Sequence, residues 1–213
     1  MKCDSKAMRL YAVTDRSWLG GRTLAMDVEA ALAGGVTCLQ LREKALDKEA
    51  FLAEAEEIKA ICQQYQVPFI INDDVEIALA VGATGVHVGQ ADMEAGKVRE
   101  KIGKDMILGV STQSVEQALL AEKNGADYLG VGAVFSTSTK LDAAELPRET
   151  VKAICQAVKI PVVAIGGITK ENLGELKGTG VDGVALVSAI FAAENIEAQC
   201  KTLRSLSEEM VGK

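Results

Sequence analysis

The chain has little of what many binding modules and enzymes lean on. It has one histidine, His87, which argues against a zinc site. Aromatic residues make up 4%, so the core must be aliphatic and stacking platforms for nucleic acid are not expected. The five cysteines, Cys3, Cys38, Cys62, Cys155 and Cys200, form no CxxC pair. They read as small apolar residues of a reducing compartment. Positive charge is also in deficit. The net charge of −7 disfavours nucleic acid and anionic membranes as partners, so any phosphate site must be a local basic cluster. Met1-Lys2-Cys3-Asp4-Ser5-Lys6 has no apolar signal core, and no run reaches the roughly 18 apolar residues of a membrane span. These absences set the expectation of a cytoplasmic protein acting on small molecules.

What the chain does have is apolar residues, 48% of 213, enough for one domain with a large core over residues 1–213. Short β-branched runs recur at Leu10–Thr14, Cys38–Leu41, Phe69–Ile71, Val86–Val88, Ile107–Val110, Tyr128–Val131, Val162–Ile165 and Val184–Val187. Segments of helical periodicity lie between them: Met26–Ala33, Asp47–Tyr65, Val75–Val81, Ser114–Asn124, Arg148–Val158, Asn172–Lys177 and a last one near Ile196–Glu209. Strand alternating with helix implies a parallel sheet, and eight such strands in this length predict an α/β fold of the (β/α)8 TIM-barrel type. A doubly wound open sheet is the alternative. Glycines at Gly34-Gly35, Gly82, Gly125 and Gly180 precede strands by a few residues, the grammar of short αβ turns. The chemically loaded loops fall at the other end, after the strands.

In the second run, Gln40, Arg42 and Lys44 are spaced by two and share one side of an extended segment, with Leu39 and Leu41 on the other. An amide, a guanidinium and an ammonium side by side need an anion; a solvated strand end with Glu43 paired locally is the plainer reading. Strands three and four run into Asn72-Asp73-Asp74 and Gly89-Gln90-Ala91-Asp92. Asp74 suits a helix N-cap. Asp73 and Asp92, on adjacent strands, suit one Mg2+ ion completed by water and substrate oxygens. His87, mid-strand, reads as a hydrogen-bonded core residue. Ser111 ends strand five, and Ser114 reads as a cap. Strand six leads into Phe135-Ser136-Thr137-Ser138-Thr139-Lys140, two hydroxyls and a cation in a loop that does not suit a core. Gly166-Gly167 after strand seven and Val187-Ser188 after strand eight fit a monophosphate, held by backbone N–H groups. The pattern suggests two anion sites at one barrel mouth.

These runs resemble the thiamine phosphate synthase family. The matching stretches are Tyr11-Ala12-Val13-Thr14-Asp15, Gln40–Lys44, Ile71-Asn72-Asp73, Gly85–Gln90, Gly109-Val110-Ser111, Gly130-Val131-Gly132, Thr137–Lys140, Gly166-Gly167-Ile168 and Val187-Ser188, in family order. The chain departs at Ser136 and Ala133, where proline is common. The resemblance implies a transferase that joins 4-amino-2-methyl-5-hydroxymethylpyrimidine diphosphate to a thiazole phosphate, or its carboxylated tautomer, with Mg2+. It implies that Gln40, Arg42, Lys44, Asn72, Ser111 and Lys140 hold the pyrimidine diphosphate, with Arg42, Lys44, Ser111 and Lys140 carrying catalysis. Asp73 and Asp92 would bind the metal, and Thr137, Thr139, Gly167, Val187 and Ser188 the thiazole phosphate. A thiazole tautomerase of similar fold and a non-catalytic phosphate sensor are the rival readings, and a homo-oligomer stays open.

Overall fold

The computed structural model describes residues 3–136 and 145–212. Its strands are β1 Leu10–Val13, β2 Cys38–Leu41, β3 Phe69–Asn72, β4 Gly85–Val88, β5 Ile107–Thr112, β6 Tyr128–Gly132, β7 Val162–Ile165 and β8 Gly183–Leu186. All eight are parallel and pair in sequence order, and β8 returns to β1 with Tyr11 opposite Ala185, so the barrel is closed. The helices are α1 Leu24–Ala33, α2 Lys48–Gln64, α3 Val75–Val81, α4 Ala95–Ile102, α5 Val115–Lys123, α6 Arg148–Ala157, α7 Ser188–Phe191 and α8 Ile196–Val211.

The strands bury both faces, and their side chains divide by parity. Tyr11, Val13, Cys38, Ile70, Ile107, Tyr128, Val163 and Ala185 point into the barrel and pack on one another. Leu10, Ala12, Leu39, Leu41, Ile71, Leu108, Val110 and Leu129 point outward into the layer shared with the helices. A period of two in side-chain direction makes this division, and the outer layer carries most of the apolar burial.

Local chemistry starts and stops the helices as expected. Asp74 caps α3 by accepting from the Ile77 N–H at 2.9 Å, and Ser114 caps α5 from Gln117 at 3.2 Å. Gly82 ends α3 at φ +61°, a left-handed position that a Cβ disfavours. Two segments differ from expectation. Asn172–Lys177 forms only a single 3-10 turn, Leu173–Leu176. With Gly174 inside it and Gly178 just after, it is too short to sustain α-helical bonding. Helix α4 went unread because it buries only Val98 and Ile102 and has no side-chain cap.

Candidate active site

A cavity of about 370 Å³ opens at the C-terminal ends of the strands. Parity places its wall. Gln40 follows Cys38 inward on β2, Asn72 ends β3, and Ser111 stands on β5 opposite Gly130 of β6. Arg42 lines it just past β2. The far wall is Gly167, Val187 and Ser188, so residues expected from both anion sites face one space.

The cations beside it are already engaged by acids. Arg42 Nη1 donates to Asp15 Oδ2 at 3.2 Å, and Lys44 Nζ to Asp73 Oδ2 at 2.5 Å. Glu43 binds Arg16 instead of its neighbours' ammonium, and Arg16 also reaches Glu54. That removes Glu43 as a competitor for Arg42 and Lys44. Lys44, Asp73 and Asp92 do not themselves line the cavity, though Arg42, Asn72 and Ala91 beside them do, and the Lys44 and Asp73 side chains are 56% and 29% exposed. Such an exposed pair is weak, so an incoming polyanion can replace the Asp73 carboxylate at little cost.

Asp73 has φ +63°, a left-handed conformation that Asp tolerates better than most residues. Its N–H is held by the His87 carbonyl at 2.8 Å, which ties the β3 loop to β4. Asp92 Oδ2 accepts the Gly89 N–H at 2.7 Å. Each aspartate thus has one oxygen engaged, that of Asp73 by Lys44 and that of Asp92 within its own loop. Among the described residues no three acidic, cysteine or histidine side chains gather to hold a metal. Two carboxylates alone fit a hard cation that takes its remaining ligands from water and phosphate oxygens, which is how Mg2+ binds.

On the opposite wall, a Cβ at Gly167 would lie 2.3 Å from the Ser136 carbonyl oxygen, so only glycine fits there. Its carbonyl is braced by Asn172 Nδ2 at 2.9 Å. Helix α7 is a single turn after Val187; it offers free N–H groups more than a macrodipole. Thr137, Thr139 and Lys140 lie outside the described residues.

His87 is buried and bonded on both ring nitrogens, to Tyr128 and Ser111, each at 2.9 Å. Burial lowers its pKa to about 4, against an opposing pull from Asp92, so the ring is neutral near pH 7. Its edge also lines the cavity, as does Tyr11. Sequence reasoning missed Tyr11 and Tyr128 as polar groups near the site. The available signal was that a buried tyrosine hydroxyl needs a partner.

A (β/α)8 barrel with a cavity at its strand ends, largely apolar and carrying Gln40, Arg42, Asn72 and Ser111 among its polar groups, is the layout of an enzyme for small anionic substrates. A family model for thiamine monophosphate synthase matches residues 10–190. The chain is 50% identical to the thiamine-phosphate synthase of Clostridium tetani over 94% of its length and 96% of the relative. It is 53% identical to that of Ruminiclostridium cellulolyticum over 91% and 92%. The solved thiamine phosphate pyrophosphorylase of Pyrococcus furiosus matches with a TM-score of 0.90 at 40% identity, covering 98% of this chain and 99% of that one. The chain belongs to the thiamine monophosphate synthase family.

Proposed function

We propose that this chain, as one cytoplasmic barrel domain, is a thiamine phosphate synthase. It joins 4-amino-2-methyl-5-hydroxymethylpyrimidine diphosphate to a thiazole phosphate and releases pyrophosphate. The observation that carries the reading is the single cavity onto which Gln40, Arg42, Asn72 and Ser111 converge from one side and Gly167, Val187 and Ser188 from the other. Two substrates that meet at one carbon need one shared space of this kind.

In this reading Arg42, Lys44, Asn72, Ser111 and Lys140 bind the diphosphate, and Gln40 the pyrimidine. Gly167, Val187 and Ser188, with Thr137 and Thr139, bind the thiazole phosphate. Asp73 and Asp92 would hold Mg2+, which when bound would supply positive charge beside the pyrophosphate oxygens. The pyrimidine's exocyclic amine donates electrons toward the methylene carbon as its bond to the diphosphate oxygen breaks. The thiazole nitrogen then captures that cation-like carbon. Bond formation requires no general base. The residues contribute electrostatically: Arg42 and Lys44 trade their carboxylate partners for diphosphate oxygens as charge moves onto the leaving group. The neutral His87 ring adds no competing charge.

The test is pyrophosphate release with both substrates and Mg2+, with EDTA as control. Release that needs both substrates and the metal is expected. Release that ignores the thiazole phosphate would mean hydrolysis and defeat the proposal.

A further inference from the structure

Between Gln40 and Ser111 runs a buried line of polar groups. Gln40 Nε2 donates to the Tyr11 hydroxyl at 2.9 Å, and the Tyr11 and Tyr128 hydroxyls lie 2.7 Å apart. Tyr128 then meets His87 Nδ1, and His87 Nε2 meets Ser111 Oγ, each at 2.9 Å. Tyr11 and Tyr128 are 1% and 0% exposed, so bulk water does not share their protons. The backbone is cut away to let the line pass. A Cβ at Gly109 would fall 2.2 Å from Tyr128 Cζ and 2.5 Å from His87 Nδ1.

Each phenol has one proton, and a neutral imidazole has one N–H. Two arrangements run in a single direction along the whole line. In the first, the Gln40 amide donates to Tyr11, Tyr11 to Tyr128, Tyr128 to Nδ1, and the Nε2–H to Ser111. The Ser111 proton and Gln40 Oε1 are then left for the cavity. In the second, the amide is turned over and every bond reversed. Ser111 spends its proton on His87, and the cavity meets an amide N–H at Gln40. The buried ring stays neutral in both.

We infer that Tyr11, Tyr128 and His87 are positioning residues that transmit one hydrogen-bond direction from Gln40 to Ser111, so that the cavity offers an acceptor at one end and a hydroxyl donor at the other. The inference rests on the proposed function. An aminopyrimidine carrying a diphosphate brings a donor to one end and an anion to the other, and the first arrangement matches both. The second mismatches both. Recognition of the amine and of the diphosphate is thereby coupled across the barrel.

Because His87 is the only histidine, 15N-histidine labelling of a chain purified without a histidine tag reads this direction alone. The expected spectrum at pH 7, with pyrophosphate and Mg2+ present, is a neutral ring protonated at Nε2. An Nδ1–H tautomer overturns the inference. Kinetics give a second readout. Tyr128→Phe and Ser111→Ala should each lower kcat/KM for the pyrimidine diphosphate about tenfold, and the double variant little further, since both break one line. Losses that multiply to about a hundredfold in folded protein also overturn it. An Nε2–H ring in a wild-type chain without synthase activity would instead sink the proposed function and leave the line standing.

Discussion

At the scale of single residues, Asp73 is asked to do two things. It holds a left-handed backbone at φ +63°, and it offers a carboxylate beside Lys44. Asparagine tolerates that backbone while alanine does not, so two substitutions separate the roles. Asp73→Asn should keep the melting temperature near wild type and slow Mg2+-dependent turnover by about a hundredfold. Asp73→Ala should show the same rate loss and in addition lower stability by about 1 kcal/mol. Equal melting temperatures for the two variants would remove the conformational part of the argument. His87 makes a different demand. Burial depresses its pKa from 6.5 to about 4; the unfolded chain therefore binds the proton more tightly than the fold does. The stability this group contributes is complete above about pH 6.5 and is lost as pH falls toward 4, an effect of up to about 3 kcal/mol. Melting curves of wild type and His87→Gln should converge over that window as pH falls, and parallel curves would contradict a buried neutral ring. The charged candidates stood out in the sequence because cations and carboxylates directly after apolar strands have no core role. Tyr11 and Tyr128 were not, because a tyrosine inside an apolar strand looks like packing until its partner is seen. Their hydroxyls meet across 117 residues of sequence, from β1 and β6, and nothing local announces that meeting.

At the scale of elements, the strands were legible because outward residues are mostly aliphatic and turn signals bound each run. Cys38–Leu41 and Val162–Ile165 appear with the expected ends, and β5 runs to Thr112, two residues beyond the expected Val110. That extension matters, because it is what places Ser111 on a strand instead of in a loop, opposite Gly130. Strand β5 also shows why β residues here are not interchangeable. Gly109 faces inward opposite Tyr128, and a Cβ there has no room beside the Tyr128 ring or His87. Gly109→Ala should therefore overpack the barrel interior and cost about 3 kcal/mol, a fall in melting temperature on the order of 10 °C for a chain of this size. Gly174→Ala, where no neighbour lies within 4 Å of the added carbon, is the control and should be near neutral. A Gly109→Ala protein as stable as the control would mean that β5 shifts freely, against the close packing of the interior. Helix α4 was illegible and the expected helix at Asn172–Lys177 is a single 3-10 turn; each buries only two side chains, and periodicity needs more than one repeat to show.

At the scale of the whole molecule, thirty acidic residues against twenty-three basic ones give a field that attracts cations and repels free diphosphate. The basic cluster at Arg42 and Lys44 is local and, with no ligand, neutralised by Asp15 and Asp73. Two consequences follow from that balance. A diphosphate meets the mouth more favourably as its magnesium complex than alone, because the complex carries less charge and supplies the oxygens that two carboxylates cannot. The metal alone also finds a poor site, since Asp73 and Asp92 each spend an oxygen on Lys44 or on the Gly89 N–H. Binding of metal and pyrophosphate should therefore be mutually dependent, and melting temperature can measure it without turnover. At saturating ligand, near a hundred times Kd, linkage adds about 2.7 kcal/mol. For a domain of this length that is a rise of about 5–10 °C. Mg2+ alone and pyrophosphate alone should each shift the transition by only about 1–2 °C, and the two together by several times their sum. Asp92→Ala should abolish the excess while leaving the small shift with pyrophosphate alone. Additive shifts, or a large one with pyrophosphate in EDTA, would mean that the cationic side chains grip the leaving group by themselves and that the two aspartates serve only their loops.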